Sequence, residues 1–210
     1  MNLFYLKVLA CLFMLIDHIG AILLPNYISL RIVGRLAFPI FAFGIANGYY
    51  NTKNKKKYLF RLFSFGCLIQ IPYSIIADTA RLNIFLTLSF GLLFIITYDS
   101  NLNILLKGLS SFLILYISDI SNMDYGSYGV LLIFLFYIFY EDKSKLFISF
   151  LGLNILFIYF VGFSNIQIFS LFSLIFINLY NFKLGIKARY LFYIFYPTHL
   201  MVLHLIGIYK

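Results

Sequence analysis

Long apolar runs alternate with short polar breaks along the whole chain. Reading for stretches that fill a bilayer predicts nine segments, at roughly 3–24, 29–50, 58–77, 82–98, 103–118, 128–140, 146–163, 166–180 and 189–209. A helix needs about 20 residues to cross the hydrocarbon, so about eight or nine spans would use essentially all 210 residues. Hydrocarbon offers peptide groups no partners, so the segments are expected to be helices whatever their β-branched and aromatic content. The fifth and sixth are short, and a tilted, re-entrant or interfacial placement is expected there. The predicted fold is all-α: a polytopic transmembrane helix bundle of about eight or nine spans. Segment 3–24 has no basic stretch before it and too long a core for a cleavable signal, so it counts as the first span.

Composition sharpens this picture. With 63% hydrophobic and 11% charged residues and a mean hydropathy of +0.96, the chain stands far from soluble domains, which are ~45–50% apolar and ~25% charged. A net charge of +9 invites a nucleic-acid reading, but the distribution rejects it. With a cytoplasmic N-terminus, the inner loops carry Lys53, Lys55, Lys56, Lys57, Arg61, Lys143, Lys145, Lys183, Lys187 and Arg189. The outer loops and flanks carry Arg31, Arg35, Arg81 and Lys210. That is the positive-inside pattern, and it predicts a multi-pass protein whose first partner is the lipid bilayer. The richness in Phe, Ile, Tyr, Asn and Lys suggests an AT-rich bacterial genome, so the expected location is a bacterial cytoplasmic (inner) membrane. Cys11 and Cys67 both fall within spans, which argues against a disulfide framework.

Against that background, ionisable groups inside spans mark candidate chemistry. Lys7 and His18 are eleven residues apart, about three helical turns, so they share a face with a rise of ~16 Å between them. Lys7 can snorkel to the cytoplasmic surface while His18 lies in the outer half. Such a stripe suits a long ligand with an anionic head, the shape of a coenzyme A thioester. The turn at Pro25–Asn26 folds the second segment back, which sets Asp17 level with Arg35 and His18 level with Gly34. An Asp17–Arg35 ion pair is expected, with Arg31 as the other candidate, and Gly34 is expected to leave room beside His18. Adjacent helical residues point ~100° apart, so Asp17 and His18 do not form a direct dyad. An imidazole is a natural general base near neutral pH, and His18 is the candidate.

The last segment adds His199, just after Pro197, and His204 nearer the outer side. Pro39, Pro72 and Pro197 are expected to bend their spans and free backbone carbonyls. Gly44 and Gly48 form a small-xxx-small pair suited to close packing. Gln70, Asn83, Thr87, Gln167, Ser170 and Ser173 are expected to make interhelical contacts. Asp119 is placed toward the outer side, and Asp124 and Asp78 with Arg81 at the outer surface, where they are expected to shape the acceptor's entrance. No zinc motif, P-loop, dinucleotide fingerprint or nucleophile elbow occurs, and no metal site is expected.

An ordered series of strings carries a family resemblance: LIDHIG (15–20), GRLAFPIFAF (34–43), QIPYS (70–74), NIFLTLSFG (83–91), DYGSYGVLL (124–132), QIFSLFSL (167–174), YN (180–181) and FYPTHL (195–200). With them the sequence resembles the TraX family of bacterial membrane proteins, over nearly its whole length. The resemblance implies one membrane domain over 1–210 and transfer of an acetyl group from acetyl-CoA to the amino terminus of a pilin. It is also similar to the wider class of integral-membrane acyltransferases, where a basic residue, ten others and a histidine share the first span. Lys7 and His18 match that spacing. The class implies a second basic site for the coenzyme, and Lys57 with Arg61 is the nearest match, though their spacing departs from the basic-x-x-basic pattern. The site set is therefore His18, Asp17, Arg35 and His199 for catalysis, with Lys7, Lys57 and Arg61 for the donor. The acceptor amine or hydroxyl, whether on protein, peptide, glycan or lipid, is left open. Two other readings stay open too: a transporter or flippase with an Asp17/Arg35/histidine pathway, and a non-catalytic assembly partner.

Overall fold

Each of the nine apolar segments is helical in the computed structural model, which describes residues 1–76, 80–186 and 189–208. Asp78, Lys187 and Lys210 lie outside the described residues, as does the side chain of Arg189. In chain order the helices are α1 (Leu3–His18), α2 (Ile28–Gly34), α3 (Ala37–Asn51), α4 (Lys55–Ile76), α5 (Ile84–Tyr98) and α6 (Ile104–Ile120). They are followed by α7 (Gly126–Ile138), α8 (Lys143–Leu156), a 3₁₀ helix (Asn165–Phe172), α9 (Ser173–Asn178) and α10 (Arg189–Ile208). Helices α1 and α8 run on into π-turns, Ile19–Leu23 and Phe157–Val161. No strand forms among the described residues, and Leu82 with Met123 makes a lone parallel bridge.

Five helical stretches are long and apolar enough to cross a membrane: Leu3–Leu23, Ile28–Asn51, Lys55–Ile76, Lys143–Val161 and Leu191–Ile208. Ile84–Tyr98, Gly126–Ile138 and Asn165–Asn178 are apolar but shorter. The chain groups into two compact units, Met1–Gly44 with Phe147–Lys210, and Ile45–Leu146.

In the second unit α5 packs against α4, α6 and α7. Its polar residues turn inward, Asn83, Thr87 and Ser89 being buried, while Ile104, Leu105, Phe112 and Ile120 of α6 stand 63–86% exposed. Polar inside and apolar outside suits a hydrocarbon solvent, where hydrogen bonds between helices replace the hydrophobic drive. Asn83 illustrates it. Its side-chain oxygen caps α5 at the Phe85 N–H, and its Nδ2 donates to the Gly66 carbonyl at 2.8 Å and to Gln70 Oε1 at 2.7 Å. The Asp119 carboxylate accepts from the Ser127 N–H at 2.7 Å and so caps α7, and the Asp124 N–H donates to the Leu82 carbonyl at 2.9 Å. The DYGSYG loop is thus pinned by its backbone.

The first unit is built on α1, which packs against α2 and α10. Close approach to α2 depends on Gly20, where a Cβ would stand 2.8 Å from the Leu30 Cβ. Helix α10 runs parallel to α1: Phe192 meets Phe4 with ring centroids 6.0 Å apart, His199 meets His18, and a Cβ at Gly207 would lie 3.4 Å from the Ile22 side chain. The 3₁₀–α9 segment runs the other way, since Gln167 reaches Arg35 while the Leu179 carbonyl accepts from the Met1 nitrogen.

Pro39 acts differently from the expected mid-span bend. It occupies the first turn of α3, where a missing N–H costs nothing, and its ring would clash with the Arg35 carbonyl if the helix were continuous. The break therefore falls at Arg35–Leu36, between α2 and α3. Pro72 and Pro197 lie inside α4 and α10, as the spans required.

Candidate functional site in the first unit

The α1–α2 hairpin turns at Pro25–Asn26, as its spacing predicted. Asp17 is held by two arginines. Arg31 Nη1 lies 2.7 Å from its Oδ2 and 3.0 Å from its backbone oxygen, and Arg35 Nη2 lies 3.6 Å from Oδ1. Arg31, not Arg35, is the closer partner. Arg31 and Arg35 are one turn apart on the same face, so one carboxylate can answer both. Two charged partners and a backbone contact offset much of the cost of holding a carboxylate away from water.

Gly34 corrects one expectation. A Cβ there would collide with the Asp17 carboxylate, so the space over Gly34 belongs to Asp17 and not to a ligand beside His18. The helix bottom at Gly34 is what lets the ion-pair cluster close.

His18 turns away from this cluster toward α10, as the ~100° step between neighbours requires. Its Nδ1 lies 2.8 Å from Nε2 of His199, a residue 181 positions away, and the rings meet edge to edge, with centroids 4.9 Å apart and planes inclined by 34°. His199 is buried, and its Nδ1 lies 2.7 Å from the Phe195 carbonyl one turn back. Pro197 removes the N–H that would have reached Tyr193, but the carbonyl His199 takes is that of Phe195. A Phe195 ring stacked on His199 at 4.8 Å completes its packing. Lys7, on the same face of α1, also addresses α10, its Nζ 5.6 Å from the centre of the Phe192 ring. The shared face of Lys7 and His18 is thus real, and α10 is what it faces.

A buried polar row adjoins Arg35. In a 3₁₀ helix residues three apart eclipse, which puts Gln167, Ser170 and Ser173 on one line, and all three are buried. Gln167 Oε1 accepts from Arg35 Nη1 at 3.5 Å, and Ser170 Oγ donates to Asn154 Oδ1 at 3.3 Å. Ser173 Oγ is buried with no hydrogen-bond partner among the described residues.

Lys57 and Arg61 belong to the second unit, in α4. The Lys57 N–H donates to Asn54 Oδ1 at 2.8 Å, which caps α4, and the Arg61 guanidinium lies 5.5 Å from the centre of the Tyr58 ring. His204 lies on α10, partly buried. No group of three or more metal-ligating side chains occurs among the described residues. Both cysteines are free thiols.

A cluster that sequence reasoning missed sits in the second unit. The Tyr49 hydroxyl donates to Asp99, Lys55 Nζ lies 3.4 Å from the same carboxylate and 3.9 Å above the Tyr49 ring, and Tyr50 stacks on Tyr137 at 5.3 Å. The Tyr49 hydrogen bond, with Lys55 beside it, holds the Asp99 carboxyl below its ordinary value. The signal was available as a tyrosine pair next to the lysine-rich loop, the arrangement of an interfacial belt.

Comparison with known proteins adds a lineage. The family profile described as TraX protein matches residues 3–207. The probable fimbrial assembly protein FimC, serogroup H1, of Dichelobacter nodosus is 30% identical over 229 residues, which cover 95% of this chain and 93% of that protein. An uncharacterized protein of Rickettsia prowazekii (strain Madrid E), RP591, is 41% identical over 71 residues, 34% of this chain and 27% of its own. No solved structure matches the chain.

Proposed function

The chain belongs to the TraX family, and on that premise we propose that it is a multi-pass acetyltransferase of the bacterial cytoplasmic membrane. It takes acetyl-CoA from the cytoplasm and acylates an amine or hydroxyl that arrives from the outer half of the bilayer. The fimbrial-assembly name of the Dichelobacter relative makes a pilus-linked acceptor, with a free amino terminus, the first to try.

One observation carries the reading. His18 is anchored through one ring nitrogen to His199, while its neighbour Asp17 is occupied by Arg31 and Arg35. The imidazole is thereby held through Nδ1, and Nε2 is the nitrogen this reading assigns to the general base. In the reaction the acceptor nitrogen or oxygen attacks the thioester carbon and its proton passes to His18. The carbon–sulfur bond then breaks, and the thiolate of coenzyme A takes that proton. Lys7 stands on the same face as a contact for the donor's phosphates. Lys57 and Arg61 come from the resemblance and are tested separately, as determinants of donor KM.

Nine crossings with a cytoplasmic N-terminus complete the proposal. The parallel run of α1 and α10 supports an odd number of crossings from first to last, because an even number would make them antiparallel. The lysine-rich loops supply the orientation.

The test is purified protein in nanodiscs with labelled acetyl-CoA and a peptide bearing a free amino terminus. Wild type should transfer label and His18→Ala should not; equal transfer by the variant removes His18 from the mechanism. The relative's assembly name favours one second reading, a non-catalytic assembly partner. That reading expects pilus assembly to survive His18→Ala and Lys7→Ala alike.

A further inference from the structure

Hydrogen-bond bookkeeping at the histidine pair fixes more than a contact. A carbonyl oxygen only accepts, so the proton between it and His199 must sit on His199 Nδ1, 2.7 Å from the Phe195 oxygen. A neutral imidazole carries one proton, which leaves His199 Nε2 as a lone pair. That lone pair faces His18 Nδ1 at 2.8 Å, so the proton there belongs to His18. His18, neutral in its turn, then keeps its lone pair on Nε2, the nitrogen on the far edge of the ring. The chain reads Phe195 carbonyl, His199 and His18, with every donor pointing back toward α10.

We infer that His199 is a positioning residue that locks His18 in its Nδ1–H form, so that Nε2 is the nitrogen that takes the acceptor's proton. A free imidazole prefers the opposite tautomer, with its proton on Nε2 and nothing basic on that edge. The lock reverses the preference with a neutral imidazole where other enzymes use a carboxylate. It also explains how the site works with Asp17 committed to two arginines: the orienting group comes from the last helix and not from the adjacent carboxylate. Protonation adds a proton at His18 Nε2 and leaves both existing hydrogen bonds in place, so His18 can take a proton and return it without either ring turning. The inference rests on the acyl-transfer reading only for this catalytic consequence; the tautomer itself does not depend on it.

The chain has three histidines, so ring-¹⁵N-labelled protein in nanodiscs resolves them, and a His204→Gln background leaves the pair alone. In that background both rings should show a protonated Nδ1 and a bare Nε2. His199→Phe keeps a ring against Phe195 and removes both nitrogens; the remaining His18 signal should move to the Nε2–H form. His199→Gln supplies an acceptor oxygen near the lost Nε2 and should hold His18 in the Nδ1–H form. An Nε2–H signal from His18 in the unmodified pair overturns the inference, and so does a His18 signal that ignores His199→Phe. If His199→Phe does not fold, the unmodified pair and His199→Gln still decide. In the transfer assay, His199→Phe should lower kcat about 10²–10⁴-fold with donor KM unchanged, and His199→Gln should recover much of it. Absence of transfer by wild type would sink the acetyltransferase reading while the spectrum still settles the tautomer.

Discussion

Arg31 grips Asp17 at two points, the carboxylate at 2.7 Å and the backbone oxygen at 3.0 Å. The second contact ties the arginine to the helix itself, not only to a charge. Asp17→Asn keeps the shape and removes the charge, leaving Arg31 and Arg35 uncompensated. It should cost about 3–5 kcal/mol, the range for breaking a buried pair from one side. Arg31→Lys should cost less, since Lys keeps the charge, though not the planar guanidinium that presents one nitrogen, Nη1, to both oxygens. Reversible unfolding in mixed detergent micelles, titrated with a denaturing detergent, measures both.

Gly34 and Gly152 offer a matched pair. A Cβ at Gly34 would collide with the Asp17 carboxylate, whereas one at Gly152 meets nothing within 4 Å. Gly34→Ala should therefore destabilise by about 1–3 kcal/mol. Gly152→Ala, in the middle of α8, should stabilise by up to about 1 kcal/mol through helix propensity. If the two variants shift the unfolding midpoint equally, the close approach of α1 and α2 is not as described.

Acid should strike the second unit through Asp99. Its carboxyl is held below the ordinary 3.8 by the Tyr49 hydrogen bond and by Lys55. A group with a lowered folded value contributes stability above its unfolded value, and that contribution is lost as pH falls through the folded one. Thermal scans from pH 6 down to pH 3 should show the Tm of wild type falling below about pH 4. Asp99→Asn should start with a lower Tm and lose less of it across that window.

His204 separates site from scaffold. It shares α10 with His199, one and a half turns on, but has no part in the hydrogen-bonded chain to His18. His204→Ala should transfer acetyl within about twofold of wild type, while His18→Ala should lose about 10²–10⁴-fold, the usual worth of a general base. Equal losses would mean that the histidines act through packing.

Topology can be read without any assay of chemistry. In the proposed topology, with an odd number of crossings, the first and last helices enter the membrane from the same side and the two ends of this chain lie on opposite sides. Reporters that are active on one side only, fused at each end, should light up in opposite compartments.

Much of this was legible in the sequence for local reasons. The Pro25–Asn26 turn and the helical period brought Asp17 to the arginines by counting alone, and the same period put Lys7 and His18 on one face. What counting missed needed a third dimension or a change of period. The π-turn at Ile19–Leu23, between His18 and the hairpin turn, takes up about one extra residue, enough to put Asp17 instead of His18 over Gly34. His199 meets His18 only because α10 returns beside α1, and no spacing rule spans 181 residues. The short α5 and α7 are buried by their neighbours, so their length says little about lipid. Asp99 escaped notice because its partners, Tyr49 and Lys55, lie on either side of a helix break.

The 3₁₀ helix at Asn165–Phe172 has one more consequence, for how the chain tolerates insertions and deletions. Its period of three residues makes Gln167, Ser170 and Ser173 a row only in the present frame. Removing one residue between Gln167 and Ser170 would swing everything beyond it by about 120°. Either Gln167 would turn from Arg35 or Ser170 from Asn154, and a leucine or phenylalanine would take the vacated place. A length change here is therefore a change of solvent for the buried face, whereas in the lysine-rich loop it is only a change of slack.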